Sequence, residues 1–247
     1  VDTVQESDKI DEIVYKTSDK FKTLIALIQS YKPESLLVFC NTKVDVIALT
    51  DKLHQNGHST IDIHGDLDQK ERNESVIAFS NRSKRILVAT DVASRGLDIK
   101  DIALVINYDL PFDKEVYTHR IGRTGRSDAS GTAISLYSTS DSEKCAYITS
   151  QARRAHMKDL RVDASFKMVS DYDTLCINGG KKTKLRAGDI LGTLCKEIGI
   201  ENTMIGKITI TETKSYIALH HSVIDKVFRD LKKVKIKKKK YVAWILN

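Results

Sequence analysis

The first half of the chain alternates short apolar runs with amphipathic segments. Runs rich in aliphatic and β-branched residues predict buried strands at LLVFC (36–40), STIDI (59–63), RILVAT (85–90), LVINY (104–108) and TAISLY (132–137). The intervening segments 44–55 and 69–80 place apolar residues at steps of three and four, as helices do. The alternation predicts an α/β fold in which helices cover both faces of a parallel sheet.

A second pattern begins near residue 172. The remaining elements are predicted as strands at 174–178, 206–211, 215–220 and 234–246 and helices near 187–197 and 222–232. This βαββαβ order is the arrangement of small α+β domains of the RNA-recognition-motif (RRM) type. With a helix expected over 141–159, the predicted organisation is a first domain at 1–160, a flexible hinge at 161–171 and a second domain at 172–247.

The charge of the chain changes at the same place. From residue 172 there are 16 Lys and Arg against 7 Asp and Glu, whereas the preceding residues hold 24 against 26. A near-neutral first part and a strongly basic second part predict different partners, and the second part fits a polyanion. No run of eighteen apolar residues and no leader sequence is present, and the four cysteines lack metal-ligand spacing. We therefore expect a cytoplasmic protein with reduced thiols and no membrane span, and the start at Val1 rather than Met suggests a fragment.

The stretch HRIGRTGR (119–126) is the densest cluster of candidate chemistry in the chain. Arg123 and Arg126 lie three apart, so both would project from one face if the segment were helical. Gly122 and Gly125 would let a phosphate approach the backbone. Planar, permanently charged guanidinium groups suit phosphate oxygens. A surface patch that grips nucleic-acid backbone or forms salt bridges explains the same residues equally well.

Four motifs in register resemble the C-terminal lobe of DEAD-box RNA helicases over residues 10–160. These motifs are FCNT (39–42), QKER (69–72), TDVASRGLD (90–98) and HRIGRTGR (119–126). The resemblance implies a RecA-like lobe that forms half of an ATP-driven clamp on RNA. The chain has no GxxxxGK[ST] loop and no DEAD tetrapeptide, which the family carries with its Mg²⁺ ligands on an N-terminal lobe. We therefore expect no ATP turnover from this chain alone.

The resemblance also implies a role for individual residues. Arg123 and Arg126 would be arginine fingers that reach the γ-phosphate of ATP, and His119 would couple that site to RNA and to the other lobe. Asp98, with Gly96 beside it, would hold the nucleotide. The implied RNA contacts are Thr90, Gln69, Arg72, Gly65 and Arg120. Two simpler interpretations stay open: Thr90 as a plain helix cap, and Gln69 with Arg72 as a solvated first turn.

The second domain carries its own resemblance. INGGKKTKLRAGDILGTL (177–194) and IGKITI (205–210) are similar to the RNA-binding domain of DEAD-box helicases of the bacterial DbpA type. This implies binding to a 23S ribosomal RNA hairpin near the peptidyl-transferase centre, and a role in assembly of the large ribosomal subunit. The predicted RNA contacts are Lys181, Lys182, Lys184, Arg186, Tyr216, Lys237, Lys238, Lys239 and Lys240.

Two features leave alternatives for these contacts. RRM sheets stack bases on aromatic side chains, but Cys176 holds the first-strand position and Lys214 replaces one third-strand aromatic. Tyr216 is then equally explained as a half-buried sheet residue, and the run KIKKKK as a solvated edge strand. The preferred interpretation is the C-terminal part of an ATP-dependent RNA helicase that uses ATP with Mg²⁺. The alternative is a non-catalytic RNA-binding module that keeps a RecA fold.

Overall fold

The computed structural model of the chain describes residues 10–94, 99, 101–125, 131–141 and 146–246. The chain divides into two compact units. The first consists of Val1–Arg72 and Arg85–Val169, and the second consists of Asn73–Lys84 and Ser170–Asn247. Within the described ranges, no helix has both the length and the apolar character needed to cross a bilayer.

The first unit is built on a seven-stranded parallel sheet. Its strands are β1 (Ile10–Lys16), β2 (Leu36–Phe39), β3 (Thr60–Ile63), β4 (Ile86–Ala89), β5 (Leu104–Asn107), β6 (Gly131–Tyr137) and β7 (Arg153–Ala155). The order across the sheet is β3-β4-β2-β5-β6-β1-β7, and all pairs are parallel. The predicted α/β class is therefore confirmed.

Helices lie on both faces of this sheet because its strands are apolar on both sides. The helices of this unit are α1 (Lys20–Tyr31), α2 (Lys43–Gln55), α4 (Asp91–Ser94), α5 (Lys114–Ile121) and α6 (Ala146–Thr149). A further helix, α3 (Gln69–Ser80), begins in this unit and belongs to the second unit from Asn73 onward. In β1, Ile13 and Tyr15 join the core with α1 and α2, whereas Val14 packs in a second cluster with α5 and α6. Alternate residues of one strand thus serve opposite layers.

The second unit contains the predicted βαββαβ order. Its elements are β8 (Tyr172–Ile177), α7 (Ala187–Gly192) with a π-helical turn (Thr193–Glu197), β9 (Ile205–Ile210), β10 (Ser215–His220), α8 (His221–Asp230) and β11 (Ala243–Leu246). The antiparallel sheet has the order β11-β8-β10-β9. Its inner face, with Leu175 and Ile217, packs against Ile190 of α7 and Val227 of α8. The small α+β domain is confirmed.

Two predicted elements are wrong. The helix expected over 141–159 is replaced by α6, the edge strand β7 and a 3₁₀ turn at Met157–Asp159, with 142–145 outside the described residues. β7 forms because Arg153–Ala155 pairs in parallel with Ile13–Tyr15 of β1. The last strand covers only Ala243–Leu246, and the lysine run before it forms a turn rather than a sheet edge.

The segment 161–169, expected within a flexible hinge, is packed into the first unit. The Met168 side chain is fully buried in the core with α1 and α2, and its carbonyl accepts a hydrogen bond from the Ser59 amide at 2.8 Å. Asp163 pairs with Lys32 at 2.6 Å. These contacts fix the segment along the lobe, so it is not a free linker.

His58 links this segment to the lobe and gives it a pH dependence. Its Nδ1 accepts a hydrogen bond from the Met168 amide at 3.1 Å, which requires the neutral ring. Burial, with a smaller contribution from Lys167, lowers the pKa of His58 from 6.5 to about 4. The unfolded chain therefore takes up this proton first as the pH falls.

We predict that the free energy of unfolding decreases between pH 6.5 and pH 4. A single group contributes up to about 1.4 kcal/mol per pH unit within that window and nothing further below it. His58→Gln should lose this part of the slope, as measured by urea denaturation across the window. Equal slopes for the two proteins would contradict the assignment.

Candidate functional site

A buried arginine ties together the carboxyl ends of three strands in the first unit. Arg120, on α5, is 1% exposed. Its Nε and Nη2 donate hydrogen bonds to the two carboxylate oxygens of Asp91 at 2.6 and 2.7 Å. Nη2 also donates to Asn41 Oδ1 at 2.9 Å, and Nη1 donates to the Asp109 carbonyl at 2.6 Å and to Asn107 Oδ1 at 3.3 Å.

The partners of Arg120 converge because parallel strands end at one edge of the sheet. Asn41 follows β2 after one residue, Asp91 follows β4 after one residue, and Asn107 ends β5. The guanidinium also lies over the Phe39 ring, 5.0 Å from its centroid. A fork with five donors satisfies all of these acceptors at once, which a lysine ammonium does not do.

The burial of Arg120 corrects its predicted role. An RNA contact requires an exposed side chain, whereas every polar atom of this guanidinium is engaged inside the lobe. Sequence reasoning also missed Asp91, Asn107 and Asp109 as its partners. Each of these residues lies at the end of a predicted strand or just after it, and this position could have indicated that they meet at one edge of the sheet.

Residues 122–125 of HRIGRTGR are not helical. α5 ends at Ile121 with Gly122 as its cap, so Arg123 lies beyond the helix. His119 is exposed and Arg123 is partly exposed. Both line a small cleft, whose other walls are Phe39, Asp91, Ser94, Val116 and Arg120. Arg126 lies outside the described residues, as do Gly96 and Asp98.

Thr124 holds the turn that carries Arg123. It is 1% exposed, and its hydroxyl donates to the Ile102 carbonyl at 2.5 Å. The Ile102 amide in turn donates to the Arg123 carbonyl at 3.2 Å. Gly125 then adopts a φ of 73°, which a glycine accepts without strain. The turn is therefore built to a fixed shape beside the cleft.

The predicted RNA contacts of the first unit lie at the same edge of the sheet, after β3 and β4. Thr90 is 9% exposed, and its carbonyl accepts the Ser94 amide at 3.1 Å as α4 begins. Gly65 and Gln69 are exposed. A Cβ added to Gly65 would meet no atom within 4 Å, so no packing demands a glycine there.

The start of α3 is stabilised by its own cap. The Glu71 amide donates to Asp68 Oδ1 at 2.7 Å, and the Asp68 amide donates to Glu71 Oε2 at 2.8 Å. This reciprocal pair satisfies two amides of the first turn. Among the described residues, the buried Nε of Arg72 has no hydrogen-bond partner. The solvated-turn interpretation therefore suits Gln69 better than Arg72.

The outer face of the sheet in the second unit is covered by the segment Asn73–Lys84. Ile77 packs with Cys176, Tyr216 and Trp244 on that face. Glu74 Oε1 accepts hydrogen bonds from the Lys214 ammonium at 2.8 Å and from the Tyr216 hydroxyl at 3.2 Å.

Tyr216 is only 4% exposed. Burial raises its pKa above the usual value. Its predicted role as a base-stacking residue is corrected, because the ring face that a base would need is already occupied.

The predicted cationic contacts of the second unit are exposed. They are Lys181, Lys182, Lys184, Arg186, Lys237, Lys238, Lys239 and Lys240. Two of these lysines have contacts within the unit: the Lys237 ammonium donates to the Lys184 carbonyl at 3.0 Å, and the Lys181 ammonium lies 3.7 Å from a carboxylate oxygen of Glu212. No cluster of His, Cys, Asp and Glu that would hold a metal occurs in the part of the chain that the structure describes.

Comparison with known proteins identifies both units. Residues 19–128 match the model of the helicase conserved C-terminal domain, and residues 174–244 match the DbpA RNA-binding domain. The solved C-terminal domain of the DEAD-box protein Dbp5 is 31% identical with a TM-score of 0.56, and the alignment covers 62% of this chain and 93% of that one. The chain belongs to the DEAD-box family.

The similar relatives place the chain within the DbpA type of this family. DbpA of Escherichia coli strain K12 is 40% identical over 243 residues, which cover 97% of this chain and 53% of the relative. DbpA of Bacillus subtilis strain 168 is 36% identical over 251 residues, covering 92% and 52%. The chain thus spans about half the length of these DEAD-box helicases and corresponds to their C-terminal part.

We predict that Arg120→Ala destabilises this DEAD-box lobe by about 3–5 kcal/mol, because the partly buried carboxylate of Asp91 loses its partner and the buried Asn107 side chain loses a donor. Arg153→Ala is the control, because Arg153 is an exposed arginine whose ion-pair partner, Asp11, is also exposed. Loss of that pair should cost about 1 kcal/mol or less. Chemical denaturation measures both, and equal losses would contradict the role given to Arg120.

We predict that Tyr216→Leu lowers stability but leaves RNA affinity within about twofold of the wild type, whereas loss of a stacked base would cost about 1–3 kcal/mol of binding. The physical reason is that the ring packs against Ile77 and Glu74 rather than facing solvent. Binding titrations at a temperature where both proteins are folded provide the measurement. A fall in affinity of tenfold, about 1.4 kcal/mol, would restore the stacking role.

Proposed function

We propose that this chain forms the C-terminal lobe and RNA-anchoring domain of an ATP-dependent RNA helicase. Family membership and the cleft lined by His119 and Arg123 at the carboxyl ends of the strands support the proposal. Ligands of open α/β sheets bind at that edge. In the complete enzyme, an N-terminal lobe would close against this edge and bring ATP and Mg²⁺ with it.

The residues of this edge would complete the ATP site together with residues of the N-terminal lobe. Arg123 and Arg126 would stabilise the charge that develops on the γ-phosphate, and Asp98 with Gly96 would hold the nucleoside. A partly exposed arginine on a fixed turn fits a phosphate, because the guanidinium is already oriented when the ligand arrives. His119 is exposed beside it and would meet the opposite lobe.

RNA would lie along the ends of β3 and β4. Exposed Gly65 and Gln69 would let a phosphate reach the backbone, and the partly exposed side chain of Arg72 would contribute its positive charge. Thr90 is 9% exposed, so its contact with RNA would be limited to its hydroxyl, at the start of α4. Arg120 would contribute indirectly, by holding Asp91 and Asn41 in place.

The second unit would keep the helicase beside its target. Its likeness to the DbpA RNA-binding domain and its exposed lysines support a structured RNA as the ligand. We propose the 23S ribosomal RNA hairpin near the peptidyl-transferase centre, within the pre-ribosomal large subunit in the cytoplasm. The alternative, a non-catalytic RNA-binding module, predicts the same RNA affinity without hydrolysis.

We predict that Arg123→Ala and Arg126→Ala, each placed in the complete two-lobed protein, lower RNA-stimulated ATP hydrolysis by about a thousandfold or more. Each change removes a cation from the developing phosphate charge, so the rate of hydrolysis falls while RNA binding is retained. Arg153→Ala, an exposed arginine on the edge strand β7, is the matched control and should keep full activity.

Two outcomes would decide against the proposal. Undiminished hydrolysis in both variants would remove the arginine-finger role. Absence of hydrolysis in the wild-type two-lobed protein, with RNA affinity intact, would favour the non-catalytic module.

A further inference from the structure

Two cationic segments of the second unit, distant in sequence, form one surface. We call residues 181–186 the basic loop and residues 237–240 the lysine turn. The Lys237 ammonium donates to the Lys184 carbonyl at 3.0 Å and lies 3.4 Å from Asp189 Oδ2. The Tyr241 ring, next to the lysine turn, lies so close to Gly179 that a Cβ there would overlap it.

The basic loop is held in one shape by backbone contacts. The Lys181 amide donates to the Thr211 carbonyl and the Lys182 amide to the Glu212 carbonyl, both at 2.9 Å. A Cβ on Gly180 would overlap this same β9–β10 turn. The glycine pair before the loop therefore serves close packing, and the loop is formed before any ligand arrives.

The lysine turn has a backbone that lysine disfavours. Ile236 and Lys239 exchange two backbone hydrogen bonds at 2.9 and 3.0 Å, so Lys237 and Lys238 are the central residues of a two-residue hairpin. Their φ values are 49° and 68°, and Lys184 in the basic loop has a φ of 58°. Hairpins with two positive φ values favour Asn-Gly. Lysine at 237 and 238 is therefore less stable in this turn than Asn-Gly would be, but it adds two positive charges.

The charge on this surface is also unfavourable without a ligand. Eight cationic side chains lie exposed on the basic loop and lysine turn. Among the described residues, two acidic side chains form ion pairs with this surface: Glu212 with Lys181 at 3.7 Å and Asp189 with Lys237 at 3.4 Å. Concentrated positive charge is what a binding site for a polyanion needs, and the phosphates along an RNA backbone supply the matching negative charge.

We propose that the basic loop and the lysine turn form one preformed clamp for RNA backbone, in which Lys237 is a positioning residue rather than an RNA contact. The inference rests on the proposed function, because it takes RNA as the ligand of the second unit. The Lys237 ammonium is used on the Lys184 carbonyl and so holds the two segments together. Lys238, Lys239 and Lys240, with the side chains of the basic loop, reach the phosphates.

The first test removes strain and charge at one position. Lys238→Gly in the full chain should raise the melting temperature by about 2–4 °C. It should also reduce by about 1 the slope of log affinity against log salt for a labelled RNA stem-loop. Lys240→Gln loses one charge without relieving a positive φ, so the slope should fall equally while the melting temperature does not rise. Lys196→Gln, on the π-helical turn outside this surface, should change neither.

The second test separates positioning from contact. Lys237→Met keeps the apolar stem and removes the ammonium, and should lower affinity at least about fivefold with less change in salt slope than Lys238→Gly. Combined with Lys182→Ala, it should be non-additive, since the basic loop is already displaced. Lys237→Arg keeps a donor for the Lys184 carbonyl and should restore affinity.

The outcomes distinguish this inference from the function on which it rests. A wild-type chain that binds no RNA stem-loop overturns both. A wild-type chain that binds, with Lys237→Met matching Lys238→Gly in slope and adding fully to Lys182→Ala, overturns the positioning role alone. An unchanged slope in Lys238→Gly and Lys240→Gln overturns the clamp.

Discussion

The buried guanidinium of Arg120 is the constraint on which the candidate site depends. A charge inside a protein is tolerated only when its donors find good acceptors, and here those acceptors come from the ends of β2, β4 and β5. Each partner is therefore fixed in position by the others. The exposed His119 and the partly exposed Arg123 flank this cation in the chain, so their placement on the cleft follows from how Arg120 is held.

Much of the fold could be predicted from the sequence because the central strands β2, β4 and β5 are apolar runs and the segments between the predicted strands have helical periodicity. Two strands that the sequence analysis did not predict, β1 and β7, were missed for different reasons. In β1, Asp11 and Glu12 interrupt the apolar pattern, and β7 owes its conformation to pairing with β1 rather than to its own residues, RRA. Such long-range pairing outweighs local propensity, and no window of sequence contains it.

The common edge of the sheet that the motif residues share was predictable, but the burial of each residue was not. The motifs indicated the edge of the sheet at which these residues lie. The sequence alone does not distinguish an arginine buried against Asp91 from an arginine exposed at the surface. Tyr216 illustrates the same limit, since its covering residues Glu74 and Ile77 lie far away in sequence. Burial of that face leaves the second unit with charge, rather than aromatic rings, as its exposed chemistry.

The composition of the second unit has a practical consequence for dissection of the molecule. A piece cut at residue 172 would keep all four antiparallel strands but lose 73–84, which supplies Asn81 and Ser83 to the Thr174 hydroxyl and Ile77 to Trp244. The sheet face that 73–84 covers would then be exposed, with apolar side chains in contact with water and the Thr174 hydroxyl without these partners. Exposed apolar surface of this kind favours self-association. RNA affinities measured with this fragment would therefore differ from those of the intact second unit.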